Sequence, residues 1–254
     1  MGLTTDLSAD GRYDVVIEAP PVNAFSISLL QELVEALRSV PEQARAVVLR
    51  SVGRGFCGGG DVKEVQALAA FEGILGQGRF GMEACVSVEE CPVPVIAAVH
   101  GYCIGIGVLV IGVCDVVVAA RGTTFVLAEA DNGAASGVVQ ALGLLPEKRM
   151  RSAMFTCEPF DAEELNQYGS VYAVTEPDEL VARAEGLAAT IAAKSPRVVR
   201  ALKQSMNRST SRDLVAKYRA EMSYTYELNM TDDARQARAT FITGARGSYV
   251  APND

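Results

Sequence analysis

Twice in its first 120 residues the chain runs from an apolar, β-branched segment straight into a glycine-rich turn and then into a helix-compatible stretch. The first instance is Ala46-Val-Val-Leu-Arg50, followed by Gly53-Arg-Gly-Phe-Cys-Gly-Gly-Gly60 and the residues after Asp61. The second is Pro94-Val-Ile-Ala-Ala-Val99, followed by Gly101, Gly105-Ile-Gly107 and Val108 to Ile111, with a further strand at Asp115-Val-Val-Val-Ala119. A strand apolar on both faces must be covered on both faces. Strand, turn and helix repeated in that order predict an α/β fold with right-handed crossovers.

The remaining pattern fits that frame. Tyr13 to Glu18 partly alternates and reads as an early strand, which Pro20-Pro21 stops. Ser26 is placed to cap a helix carrying Leu29, Leu30, Leu33, Val34 and Leu37, closed by Pro41. Residues 61–89 read as mostly helical, with a mobile loop expected near Gly73 to Gly81. From Gly137 onward helices dominate. Asp161 with Glu164 forms a capping box, Val171 to Val174 is a short strand, and Glu179 to Ala193 is a helix. Pro196 opens the next, through Val199, Leu202 and Met206. From Asp213 to Phe241 an amphipathic helix sets Tyr218, Met222, Tyr226 and Met230 four apart, a spacing suited to packing or a subunit interface rather than to a cofactor.

Composition excludes several functions. The chain has 254 residues, with 23 Lys+Arg against 31 Asp+Glu, a net charge of −8 that gives no basic footprint for nucleic acid. Apolar residues make up 49%, enough for a sizeable core without disulfide or metal. The six cysteines (Cys57, Cys85, Cys91, Cys103, Cys114, Cys157) contain no CxxC pair and read as buried thiols in a reducing compartment. The single histidine, His100, argues against a zinc site built on histidines, and no metal is expected. No basic, apolar leader opens the chain, so a cytoplasmic location is expected. Between Glu90 and Arg121 only His100 and Asp115 ionise besides cysteine and tyrosine, but prolines and glycines break the stretch, which reads as buried core rather than a membrane span.

The glycine turns are also where chemistry is expected. Gly55-Phe-Cys-Gly-Gly-Gly-Asp61 lacks the Lys-Ser/Thr of a phosphate loop, and the residues after Gly105-Ile-Gly107 break the dinucleotide pattern. What remains is two turns whose backbone N–H groups point outward. Converging, they make an oxyanion hole; apart, they are two tight buried turns. Glu129 follows an apolar strand, where burial would raise its pKa and suit it to acid/base work, unless it is an ordinary surface glutamate. Asp131 either shares that pocket or caps a turn, and His100 is either a core residue or a base.

Pro21-Val-Asn-Ala24, Gly55-Phe-Cys-Gly-Gly-Gly-Asp61, Pro92-Val-Pro-Val-Ile-Ala-Ala-Val-His-Gly101, and Gly105-Ile-Gly107 with Cys114-Asp115 occur in the order and spacing of one family. From about Tyr13 to Phe241 the chain resembles the crotonase, or enoyl-CoA hydratase/isomerase, superfamily. The resemblance implies a crotonase-like ββα spiral core over residues 1–195. It implies a C-terminal helical region, 196–254, that completes the active site and the interface of a homotrimer or dimer of trimers. It implies an acyl-CoA thioester substrate, with coenzyme A entering as part of the substrate and no separate cofactor. Gly60 and Ile106 match the two oxyanion donors and Glu129 the acid/base, with Asp131 secondary. Ala24, Phe25, Cys57, Gly58, Asp61 and Val62 would line the path of the CoA, and Arg246 would reach its phosphates.

The departures carry as much information. Ile106 stands where the family usually has glycine, a strained choice if φ there is positive. Leu109 stands where hydratases have an earlier glutamate, and Gly137 where dehalogenase-like and dienoyl-CoA isomerase members have an aspartate. A lone glutamate resembles the enoyl-CoA isomerases. Pro20-Pro-Val-Asn-Ala24, Glu90-Cys-Pro-Val-Pro-Val95, Tyr168-Gly-Ser-Val171 and Tyr226-Glu-Leu-Asn229 are similar to actinobacterial members that hydrolyse a cyclic β-diketone to open a steroid ring. The leading expectation is a hydratase or isomerase acting through an enolate. The alternatives are a C–C bond hydrolase and a weakly active thioester-binding paralogue.

Overall fold

A computed structural model describes residues 2–68, 71–210 and 212–243. Strand β1 (Gly2–Leu7) pairs antiparallel with β2 (Arg12–Glu18); the sequence reading missed β1, whose outer residues are exposed and polar and give no apolar alternation. Helix α1 (Ile27–Arg38) starts where Ser26 Oγ accepts from the Leu29 N–H. Then come β3 (Ala46–Ser51), α2 (Val62–Ala67), α3 (Glu72–Glu90), β4 (Val95–Val99), β5 (Tyr102–Ile104), α4 (Ile106–Ile111), β6 (Val116–Ala120) and β7 (Thr124–Val126). The second half holds α5 (Val138–Ala141), α6 (Glu147–Thr156), β8 (Phe160–Asp161), α7 (Ala162–Gln167), β9 (Ala173–Thr175), α8 (Leu180–Ala192), α9 (Pro196–Ser209), α10 (Leu214–Asn229) and α11 (Asp232–Ile242).

Six strands form one sheet in the order β1-β2-β3-β4-β6-β9, parallel from β2 onward, and β5-β7-β8 form a second. The central parallel strands β3, β4 and β6 are buried on both faces, as their apolar runs require. Val47, Leu49, Val95, Ala97 and Val99 join the large core with α1 and α3, while Ala46, Val48, Ile96, Ala98 and Val118 meet Leu180, Ala184 and Ala188 of α8.

Four expectations are corrected. No loop interrupts residues 73–81: the break lies between α2 and α3, and α3 runs through all its glycines. Their absence of side chains is used for packing, since a Cβ on Gly76 would lie 2.5 Å from Ile27 Cδ1 and one on Gly78 2.3 Å from Met222 Cε. The C-terminal amphipathic stretch is two helices, α10 and α11, parted near Met230. The capping box is half made: Asp161 accepts from the Glu164 N–H, but the Glu164 carboxylate pairs with Arg149 instead. The strand read at 171–174 forms two residues later, as β9.

Candidate active site

The two glycine turns meet. The Phe25 N–H donates to Gly59 O (2.8 Å) and the Asp61 N–H to Phe25 O (3.0 Å), a bridge that leaves the Gly60 N–H outside its ladder. Ile104 N–H donates to Cys57 O at 2.9 Å, tying this loop to β5. A Cβ on Gly107 would lie 2.5 Å from Cys57 Cβ, so only glycine lets the first turn of α4 press this close. Gly105 takes the positive φ of the turn (51°), and Ile106 begins the helix without one. The strain considered for a β-branched residue at 106 therefore does not arise. Its N–H is the first amide of α4, one that a helix leaves without an internal acceptor. Gly60 and Ile106 line the same cavity, of about 160 Å³.

Glu129 faces that cavity from just beyond β7, at the entrance of a 3-10 turn over Ala130–Asn132. It is only 8% exposed, and its Oε2 is buried with no hydrogen-bond partner among the described residues. Burial pushes its pKa up to about 7, opposed only by a hydrogen bond from its own backbone. No charged neighbour contributes, so the shift is a desolvation effect. Such a carboxyl exchanges protons near neutrality.

Leu109 lines the cavity too, and its Cδ2 would lie 2.6 Å from a Cβ on Gly137, which also has φ of 100°. These two positions thus pack against each other and offer no second carboxylate. The loop that follows Glu129 is fastened by α10. The Glu221 carboxylate accepts from the N–H groups of Gly137, Val138 and Val139 (2.7–3.1 Å), and Thr225 Oγ1 from that of Ala135.

Of the other residues singled out in the sequence, Gly58 and Val62 line the cavity. Ala24, Phe25, Cys57, Asp61 and Asp131 do not. Phe25 is wholly buried and holds the Gly59–Asp61 loop through its backbone; Cys57 is wholly buried beneath it; Asp61 caps α2 by accepting from Lys63 and Glu64. Asp131 is half-buried, beside Cys157. His100 bonds Gly53 O through Nε2 at 3.0 Å, away from the cavity. Arg246 lies outside the described residues. Among those residues no group of three His, Cys, Asp or Glu could hold a metal ion, and no helix is long and apolar enough to cross a membrane.

The sequence reading missed Gln77, Ser136, Thr225 and Arg238 in the cavity wall. Gln77 Nε2 donates to Phe25 O at 2.7 Å, and its Oε1 lies beside Gly60. Tyr218 and Met222, read as packing, are buried and reach the cavity, with Tyr218 hydrogen-bonded to Ser136.

The family model for enoyl-CoA hydratase/isomerase matches residues 11–246. The chain belongs to that family. Two of its relatives bear the name (7aS)-7a-methyl-1,5-dioxo-2,3,5,6,7,7a-hexahydro-1H-indene-carboxyl-CoA hydrolase. The one from Rhodococcus jostii is 36% identical over 98% of each chain, and the one from Mycobacterium tuberculosis is 37% identical over 95% of this chain and 99% of its own. The expected likeness to actinobacterial CoA hydrolases is thus found. The crystal structure of an enoyl-CoA hydratase from Mycobacterium avium subsp. paratuberculosis has the same fold, with a TM-score of 0.85 at 24% identity over 99% of both chains.

Proposed function

We propose that this protein is a CoA-thioester hydrolase that opens a ring by breaking a carbon–carbon bond beside a ring ketone. The observation that carries the proposal is the likeness, over nearly the whole length of both chains, to two hydrolases named for a bicyclic dione CoA thioester. It reverses the order of the sequence reading, which put hydratase or isomerase chemistry first.

The geometry suits each step. The N–H groups of Gly60 and Ile106 donate to the thioester oxygen, where fixed donors favour developing negative charge over the resting carbonyl. Glu129, ionised above about pH 7, takes a proton from a water that adds to the ring ketone carbon. Collapse of the adduct breaks the adjacent C–C bond. The electron pair becomes an enolate resting on the thioester oxygen, and Glu129 returns the proton to carbon. One water is consumed, and the product is an opened-ring carboxylic acid. Asp131 is the secondary candidate for proton transfer. Gly58 and Val62, with the segment carrying Ala24 and Phe25 and the turn carrying Cys57 and Asp61, border the path of the pantetheine, and Arg246 is assigned to the CoA phosphates.

A second reading, proton transfer between carbons of an enoyl-CoA, is favoured by the same lone carboxylate. Incubating the protein with a bicyclic dione CoA thioester and, separately, with linear 2- and 3-enoyl-CoA thioesters separates the two. Mass spectrometry should show a gain of 18 Da on the dione alone; double-bond migration in the linear substrates with an untouched dione would select the isomerase.

Residues 196–254 are proposed to complete the site and a trimer interface. Val198, Leu202 and Met206 lie four apart on α9 and are 50–60% exposed, a stripe that a second subunit would cover.

A further inference from the structure

The cavity wall carries one cation whose charge no carboxylate answers among the described residues. Arg238, on α11, is half-buried, and its Nη1 donates to the neutral amide oxygen Asn229 Oδ1 at the end of α10. Its neighbour Arg235 holds Asp232 at 2.5 Å. Burial and the like charge of Arg235 both disfavour the Arg238 cation. A half-buried charge left in this state is costly unless a ligand supplies the counter-charge. Asn229 restrains the guanidinium while leaving further N–H donors for such a ligand.

Its position says where that ligand group lies. Arg238 lines the cavity of Glu129 and, unlike Glu129, Gly60 and Ile106, borders a second cavity as well. Val65, Ile74 and Asn229 wall both cavities with it, placing Arg238 at the junction of the two. A thioester oxygen set at Gly60 and Ile106 would direct its acyl chain past Glu129 toward this junction. We infer that Arg238 is a specificity residue for acyl groups that carry a further oxygen function, a carboxylate or a second ketone, at the end remote from the thioester. This rests on the proposed acyl-CoA site and deepens it. A bicyclic dione carries a second ketone besides the one that water attacks, and a bidentate guanidinium fits a carboxylate better still.

The test is equilibrium binding of two acyl-CoA thioesters of equal length, adipoyl-CoA and hexanoyl-CoA, to the full-length protein and to Arg238→Met and Arg238→Lys. The wild type should bind adipoyl-CoA at least tenfold more tightly. Arg238→Met, similar in length but uncharged, should abolish the preference while leaving hexanoyl-CoA affinity within about twofold. Arg238→Lys should restore part of it. Equal binding of the two thioesters by the wild type would overturn the inference and leave the acyl-CoA site standing, as would a preference that survives Arg238→Met. Failure to bind either thioester would overturn both.

Discussion

At the scale of single residues the chemistry rests on Glu129 and the price of burying it. The gap between an ordinary 4.5 and about 7 corresponds to about 3 kcal/mol of penalty on the charged form. Below about pH 4.5 the carboxyl is neutral folded and unfolded, so no penalty exists. As pH rises through 7 the unfolded chain has already lost the proton and the folded one gives it up late, so stability falls across that window. Glu129→Gln should therefore be more stable than wild type above pH 7, by up to about 3 kcal/mol, with little difference at pH 4.5, in denaturant titrations at both pH values. The same variant should lose 10²–10⁴-fold in turnover, a typical order for removing an acid/base group. A base that titrates at about 7 also sets the rate profile: kcat/KM should rise with pH and reach half its plateau near pH 7, and a flat profile from 5 to 9 would transfer the role to another group. Glu129 was legible as a candidate because an acid directly after a buried strand is unusual. Arg238 was not, since one arginine among many on a polar helix carries no periodic signal, and its importance comes only from the fold that half-buries it.

Among the elements, α9 is fixed to the core through a polar side chain, Lys203, its one buried residue. Lys203 of α9 is buried, and its Nζ donates to Asp115 Oδ2 (2.7 Å), Val88 O and Val93 O; Asp115 also accepts from the Val95 N–H. This explains Asp115, the one acid in the long apolar stretch of the sequence, as a clamp between strand starts and α9. Lys203→Met leaves that carboxylate without its cation and should cost about 3–5 kcal/mol, whereas the double change Lys203→Met with Asp115→Asn should recover much of it. Thermal denaturation of the three variants reads this directly. Strands and helix caps were legible here because they follow local rules: β-branched runs, and Ser26 or Asp161 ahead of a helix. The glycines of α3 misled for a physical reason. Propensity counts each as a cost of about 1 kcal/mol in a helix interior, yet close approach of Ile27 and Met222 requires them, and packing outweighs propensity.

For the whole molecule, the order of apolar strands and glycine turns was enough to give the α/β core, because each turn must return the chain across a covered sheet. Which residues face the cavity was less legible, since α10 and α11 arrive from far along the chain. Those helices bring Tyr218, Met222, Asn229 and Arg238 to a wall whose other side is made by residues 58–78. Exposed Val198, Leu202 and Met206, with Phe155 at 76% exposure, should be covered in a trimer or hexamer, and light scattering at micromolar concentration should report one. The most direct measurement of the proposed reaction is turnover of a bicyclic dione CoA thioester in H₂¹⁸O, with mass spectrometry of the product. A hydrolase that uses water at the ring ketone gives an opened-ring acid with one ¹⁸O in the new carboxyl group, formed 10²–10⁴-fold more slowly when Glu129→Gln replaces the wild type. A product that keeps the ring, with solvent hydrogen exchanged beside the thioester and no ¹⁸O gained, would show that the pocket moves protons and leaves the carbon–carbon bond intact.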